Sequence, residues 1–365
     1  MEATQSPRLK TLPRPGSCGT AKLPALSVQK CTVKRVLSKR RLLCTTAFPP
    51  CDLVKTPVRS QGLASNCSTR SSSRGSTGRL HKSSTQSLLE GSLSVLPPAV
   101  SAEAWAVTDG CSGVLLYGSH EHDPHPIASL TKILTVYTCL RLAKTLPGVG
   151  LDLRLKVSAR AAAMTGTRAG LWAGDDITVR NLLYGVMLPS GNDAAVCLAE
   201  GVGAVLCEER KLDVSETHPE QVYLKQMNVF AEELGLTHSR FRNPTGLDLN
   251  CNLSTAHDVN LVATAAMRLG CFRTIVRSQE HCFSLKGASG FKRDVRWMNT
   301  NKLLNLGFDG LKTGVTPAAG PCLSASLHSP AGHIIVTVLH CKSLEDRWSE
   351  VVSLVTWAQG ILQCR

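Results

Sequence analysis

Hydrophobic positions change rhythm several times along this chain, and each change predicts an element. The stretch AEAWAVTDGCSGVLLYGSH, from Ala102, reads as two short strands with Asp109-Gly110 as the turn between them. Between Ile127 and Ala143, apolar residues recur at Leu130, Ile133, Leu134, Tyr137 and Leu140, which is helical spacing and puts Ser129 at a helix start. ITVRNLLYGVMLPSGNDAAVCLAEGV predicts a helix, a tight PSGND loop, and a second helix of small residues capped by Asp193. EQVYLKQMNVFAEELGL predicts an amphipathic helix closed by Gly235, and STAHDVNLVATAAMRL another opened by Ser254 as cap. FDGLKTG, CLSASLH and GHIIVTVLHC return to strand, with a turn over 330–332. A last helix, Glu345 to Leu362, has the wide apolar face of one that packs on a sheet. Strands at both ends with helices between them predict an α/β (α+β) chain: one sheet built from both ends and a helical insertion.

Composition divides the chain in two. The first 95 residues hold 16 lysines and arginines against three acids (Glu2, Asp52, Glu90), a net +13, which leaves the rest at about +1 of the total +14. This segment is rich in Ser, Thr, Pro and Arg and has no sustained period of 3.6 or 2, so ordering it would not be offset by burial. It reads as a disordered basic leader over 1–95, followed by a folded domain over 96–365. Arg-rich, Ser-rich and acid-poor composition without an apolar signal core fits an organelle transit peptide. The near-neutral remainder argues against a nucleic-acid partner. No stretch reaches the ~20 apolar residues of a membrane span.

Of fifteen cysteines, five lie in the leader, and the rest form no CxxC pair and no His/Cys cluster at zinc spacing. Cys139 and Cys197 fall inside apolar helical runs, where a thiol acts as a small hydrophobe, which favours a reducing interior. The sequence calls for no metal and no organic cofactor.

The candidate chemistry starts at Ser129 and Lys132. Three residues apart on a helix, they share a face, so an amine can meet a hydroxyl. The pattern S-x-x-K recurs at Ser27/Lys30 and Ser289/Lys292, so it decides little alone. SGN at Ser190–Asn192 and KTG at Lys312–Gly314 each occur once, and the order S-x-x-K, S-x-N, K-T-G matches a penicillin-recognising signature. A serine is a weak nucleophile until a neighbouring base takes its proton, and Lys132 is such a base only when neutral. Burial and a second cation, Lys312, favour the neutral form. Lys312 also suits a terminal carboxylate, with Thr313 and Thr316 adding hydroxyls.

Through PIASLTKILT, LLYGVMLPSGNDAAVCLAEG, ELGLTHSRFRNPTGLD, STAHD and GFDGLKTGVTPAAGPCLSAS, from about Ala102 to Gly360, the chain resembles the D-alanyl-D-alanine carboxypeptidases of serine peptidase family S11, the low-molecular-mass penicillin-binding proteins. The resemblance implies the penicillin-binding transpeptidase or β-lactamase-like fold: a central antiparallel sheet flanked by helices, with a helical subdomain carrying the S-x-N loop. It implies Ser129 as nucleophile, Lys132 as base, Ser190 as proton relay, Asn192 as a bond to the substrate amide, and the N–H groups of Ser129 and Val315 as oxyanion hole. Val315 stands where many relatives carry His or a larger residue. Lys312, Thr313, Gly314, Val315 and Thr316 would line the substrate, and Arg347 would stand near its carboxylate.

The implied substrate is a peptidoglycan stem peptide ending in D-Ala-D-Ala, cleaved through an acyl-enzyme, with β-lactams as covalent inhibitors. Transpeptidase or endopeptidase chemistry uses the same site. A class A β-lactamase would need an E-x-x-L-N loop, which does not occur between Ser190 and Lys312. An inert peptide-binding descendant is the non-enzymatic alternative. Asn243, Pro244 and Gly246 read as a demanding turn near the site, His257 as structural, and Trp105, Trp172 and Trp297 as packing. The C-terminal β-rich domain and membrane anchor of bacterial relatives have no counterpart before Arg365. With the leader, that leads to the expectation of an organelle, a plastid ahead of a mitochondrion.

Overall fold

The computed structural model of the chain describes residues 96–247 and 252–363, all within the compact unit Arg79–Arg365. The leader expected over 1–95 lies outside the described residues.

Strand β1 (Ala104–Asp109) pairs with β2 (Leu115–Ser119), and β3 is the two-residue His125–Pro126. A 3-10 turn over Ala128–Leu130 then runs into helix α1 (Thr131–Thr145). The connection between β1 and β2 is longer than an Asp-Gly hairpin, because the Asp109 carboxylate accepts from Cys111 N (3.0 Å) and Ser112 N (2.6 Å) and wraps a five-residue loop around itself. The helical insertion follows: β4 (Arg154–Lys156), α2 (Ala159–Ala162), β5 (Asp176–Thr178), α3 (Val179–Met187), α4 (Asn192–Glu209) and α5 (Pro219–Glu233). Next come β6 (Leu253–Ser254), α6 (Ala256–Met267), α7 (Gly270–Arg277), and the hairpin β7 (Glu280–Lys286) and β8 (Lys292–Met298). The chain closes with β9 (Leu311–Thr316), β10 (Gly320–Ser329), β11 (Gly332–Leu339) and α8 (Asp346–Gln363).

The main sheet is antiparallel with strand order β2-β1-β11-β10-β9, so both chain ends build it, as the hydrophobic rhythm predicts. Alternation along β1 sends Trp105 and Val107 to one face and Ala104 and Ala106 to the other. The first face packs on Trp348, Val351, Leu354, Val355 and Ala358 of α8, and the second on the helical layer. Asn260 of α6 fixes that second face: its amide donates to Ala106 O (3.0 Å) and Thr108 Oγ1 (2.9 Å) and accepts from Thr337 Oγ1 (2.7 Å).

Helix α1 differs from the one-sided helix the sequence suggests. It is buried on every side from Thr131 to Leu140, polar Thr131, Lys132, Thr135 and Thr138 included, because other helices surround it. Two cap assignments also change. Thr255, one residue after Ser254, caps α6 by accepting from Asp258 N at 3.0 Å. Asp193 lies inside the first turn of α4, where its buried carboxylate accepts from Ala169 N (2.7 Å) and Leu171 N (3.0 Å). Its Oδ1 also accepts from Ala194 N (2.9 Å), so the carboxylate joins the 169–171 segment to the start of the helix.

A second sheet, β4-β5-β7-β8, has no counterpart in the sequence reading. Its hairpin is half-exposed and charged, but it delivers Trp297, whose ring nitrogen donates to Ala169 O (2.7 Å) beneath the loop before α4. Trp105 and Trp297 are buried as expected. Trp172 is not: it is 60% exposed, with the Arg293 guanidinium 4.0 Å over its ring. No two described cysteines form a disulfide, and burial pushes the thiols of Cys139 and Cys197 up to about 12. No single helix among the described residues is long and apolar enough to cross a membrane.

Candidate active site

Ser129 ends up on the 3-10 turn rather than in α1 itself, one residue after Ala128, whose φ of +46° is unusual for a residue with a side chain. Lys132 lies in the first turn of α1 and is fully buried. Its Nζ makes three hydrogen bonds: to Ser129 Oγ (2.9 Å), Asn192 Oδ1 (2.7 Å) and Thr245 O (2.8 Å). Asn192 opens α4, and its amide orientation is fixed because Nδ2 donates to Thr165 O at 2.7 Å. Two of the three partners of Lys132 can only accept. A neutral amine has two N–H bonds, so these go to Asn192 and Thr245 and the lone pair is left facing the Ser129 hydroxyl.

Burial, first, and then the charge of Lys312 hold the Lys132 ammonium well below the usual lysine range, while Asp193 works in the opposite sense. Lys312, on β9, is 1% exposed, donates to Thr313 O (3.0 Å) and is lowered to about 7 by burial and by Arg347. No carboxylate pairs with it among the described residues. A buried cation of this kind suits an anionic ligand group.

Ser190 has a φ of +61°, and its carbonyl accepts from Thr167 Oγ1 at 2.8 Å. Its hydroxyl is not one of the three partners of Lys132. Thr313 Oγ1 lies 3.1 Å from Thr300 Oγ1, and Thr316 Oγ1 accepts from Ala319 N (3.1 Å) in the turn to β10. Val315 is 53% exposed. Arg347, at the start of α8, donates to Gly314 O at 3.2 Å, so it braces the KTG strand instead of standing in solvent. Gly314 permits a close approach: a Cβ there would sit 3.0 Å from Ile127 O and 3.2 Å from Ser129 N. β9 therefore passes directly against the 3-10 turn that carries Ser129.

The turn flagged at Asn243, Pro244 and Gly246 supplies what residue types alone did not reveal, the carbonyl of Thr245. Asn243 Oδ1 accepts from Thr245 N (3.1 Å) and Gly246 N (2.7 Å), while Pro244 O accepts from Thr135 Oγ1 (2.8 Å). His257, read as structural, donates its backbone N–H to Glu121 O at 3.0 Å, and its ring lies against His122 with centroids 4.8 Å apart.

A half-buried serine beside a buried lysine at a helix start, an S-x-N loop and a K-T-G edge strand on a mixed fold define the class of active-site-serine, penicillin-recognising proteins. The family model of the D-alanyl-D-alanine carboxypeptidases, Peptidase S11, matches residues 92–343, and the chain belongs to that family. The chain is similar to D-alanyl-D-alanine carboxypeptidase DacF of Bacillus subtilis, 29% identical over 250 residues, covering 68% of this chain and 59% of DacF. It is also 29% identical over 266 residues to a D-alanyl-D-alanine carboxypeptidase of Streptomyces sp. strain K15, with 72% of this chain and 89% of that protein covered. The crystal structure of the Streptomyces K15 DD-transpeptidase superposes with a TM-score of 0.66 at 30% identity, covering 72% of this chain and 98% of that one. The chain therefore has the penicillin-binding transpeptidase fold, and it spans less than two thirds of the length of DacF. The transit-peptide and plastid expectation is corrected: the relatives named here are bacterial, none is an organelle protein by name, and the segment that suggested it lies outside the described residues.

Proposed function

We propose that residues 96–365 form a serine-type D-Ala-D-Ala carboxypeptidase that releases the terminal D-alanine of peptidoglycan stem peptides through an acyl-enzyme. The observation that carries this reading is the 2.9 Å contact between Ser129 Oγ and a buried lysine amine whose other two partners are acceptors. Neutral Lys132 takes the Ser129 proton as Oγ bonds to the penultimate carbonyl carbon. The oxyanion forms against the N–H groups of Ser129 and Val315, which the close approach of Gly314 favours. The C–N bond then breaks. Ser190 passes the proton from Lys132 to the departing D-alanine amine, and water resolves the ester by the reverse route. Lys312, with Thr313 and Thr316, receives the terminal carboxylate, Asn192 bonds the substrate backbone, and Arg347 holds the β9 edge beneath it. β-Lactams, which present a similar carboxylate and acyl group, acylate Ser129.

An amine in place of water would turn the same ester into a transpeptidation product, and the Streptomyces K15 relative is a DD-transpeptidase. Intact-mass spectrometry of the protein with benzylpenicillin, beside Ser129→Ala, tests the proposal. A stable adduct of one penicillin per chain, absent in the variant, supports it, and D-alanine release from a D-Ala-D-Ala peptide with and without an added amine then separates the two outcomes. An adduct lost within seconds would point to a β-lactamase. A folded protein that forms none would be a binding module.

A further inference from the structure

On the main sheet, away from the S-x-x-K turn, three adjacent strand segments each place one metal-binding side chain at the same edge. Asp309 lies just before β9, His328 near the end of β10, and His333 at the start of β11, directly opposite His328 in the antiparallel register. Their ligand atoms all fall within 4.8 Å of one another. His328 Nδ1 is hydrogen-bonded to Asp309 Oδ2, the two imidazoles stack with centroids 3.7 Å apart, and His333 Nε2 lies 2.9 Å from Ser326 Oγ. The spacing 309, 328, 333 resembles no zinc motif, because the ligands converge across strands and not along one segment.

We infer that Asp309, His328 and His333 form a binding site for a divalent transition-metal ion of the zinc type. Two imidazoles and a carboxylate are a donor set that zinc favours, with a fourth position left for water. Zinc bonds of about 2.0–2.1 Å in a tetrahedron put donors about 3.3 Å apart, and two rings stacked 15° from parallel cannot both aim an in-plane lone pair at one ion, so binding turns the exposed His328 ring out of the stack. Asp309 is already oriented for this. Its Oδ1 is occupied by Arg277 (2.6 Å) and its backbone N–H donates to Ser326 O (2.7 Å), while Oδ2 meets His328 Nδ1 and accepts from Ser326 Oγ at 3.2 Å. The charges facing the site from neighbouring elements are Arg277 of α7 and Asp109 of β1, which balance, so Asp309 leaves the cluster anionic. Asp309 and His333 are buried, whereas the His328 side chain is 48% exposed and gives an ion its way in. A bound ion takes the place of the Nδ1 proton of His328, which moves to the other ring nitrogen, so no proton need leave the protein. The ion ties β9, β10 and β11 together three residues before Lys312.

Calorimetric titration of the full-length protein with Zn2+, and visible absorption with Co2+, test the site in the wild type, His328→Ala, His328→Gln and His122→Ala. His328 is half exposed, so its variants keep the fold, which circular dichroism verifies. His122 belongs to a separate group of rings with His238 and His257 and is the control. The expected result is one ion per chain, a Co2+ spectrum without a thiolate charge-transfer band, and a rise in melting temperature with Zn2+. Both His328 variants should bind at least tenfold more weakly and lose the melting shift, while His122→Ala keeps both. Absence of binding, or binding unchanged by the His328 variants, overturns the site, as does loss in His122→Ala alone. None of these readouts depends on peptidase activity.

Discussion

Asn192 accepts from Lys132 at 2.7 Å through Oδ1 while its own amide nitrogen is tied to Thr165 O at the same distance, so the amide presents a fixed neutral acceptor to a buried amine. Neutrality is what matters. A carboxylate at this position would hold Lys132 protonated and remove the base. Relative to the wild type at the same pH, Asn192→Asp should therefore slow acylation by benzylpenicillin by about 10²-fold at pH 7, and that ratio should close as pH rises and Lys132 is deprotonated in the variant too. Asn192→Ala should be slow without the alkaline recovery. Stopped-flow acylation rates across that range read the difference, and matching pH profiles for the two variants would rule out an electrostatic role for Asn192.

In the proposed mechanism the two lysines are needed in opposite states, which sets the shape of the pH profile. Lys132 must be neutral to act as base, so kcat/KM rises with pH through its depressed pKa. Lys312 must be charged to hold a carboxylate, and its pKa is about 7, so kcat/KM falls as pH rises past that value in the free enzyme. The expected curve is a bell with its alkaline limb near neutrality. Lys312→Arg keeps the positive charge at all these pH values and should move that limb upward by at least two pH units. A limb that stays in place in the variant would assign it to another group.

Much of this was legible in the sequence because it is local. Ser129 and Lys132 are three residues apart, SGN and KTG are contiguous, and the strands of the main sheet show in their own alternation. Information that depends on neighbours was not. Thr245 contributes a carbonyl, which every residue type has, so only the turn chemistry of Asn243 and Gly246 hinted at it. Nothing about Ser190 announces a φ of +61°, and Asp193 looks like a cap until Ala169 and Leu171 arrive to claim its carboxylate. The hairpin β7–β8 went unread because its half-exposed, charged strands carry little of the apolar alternation that marks a core.

Burying both amines opposes folding, and the sign follows from linkage. Their folded pKa values lie below the unfolded value, so the unfolded chain binds more protons; for Lys312 the destabilisation is greatest below about pH 7, and for both lysines it disappears as pH rises toward 10.5. Lys312→Met should accordingly raise unfolding stability at pH 6 by on the order of 2 kcal/mol while abolishing substrate hydrolysis. The gain over wild type should shrink steadily toward pH 10. Urea denaturation of both proteins at several pH values measures it, and a difference independent of pH would show that lost packing, not charge, sets the effect.

Two glycines with the same backbone angle separate conformational strain from steric need. Gly235 and Gly246 both have φ of +76°, but a Cβ on Gly235 meets nothing within 4 Å, whereas one on Gly246 would lie 1.8 Å from Ala128 O, in the turn that carries Ser129. Gly235→Ala should cost only the left-handed backbone penalty, about 1 kcal/mol, and leave acylation unchanged. Gly246→Ala adds a backbone clash that only displacement of the 243–246 turn or of Ala128 relieves, for at least about 3 kcal/mol in total. Either displacement disturbs the site, because the turn carries the carbonyl that holds Lys132 and Ala128 precedes Ser129. Acylation by Gly246→Ala should fall at least tenfold even under conditions where the variant remains folded. Equal stability costs for the two substitutions, or a normal acylation rate in Gly246→Ala, would mean that the contact between the turn and the serine does not position the base.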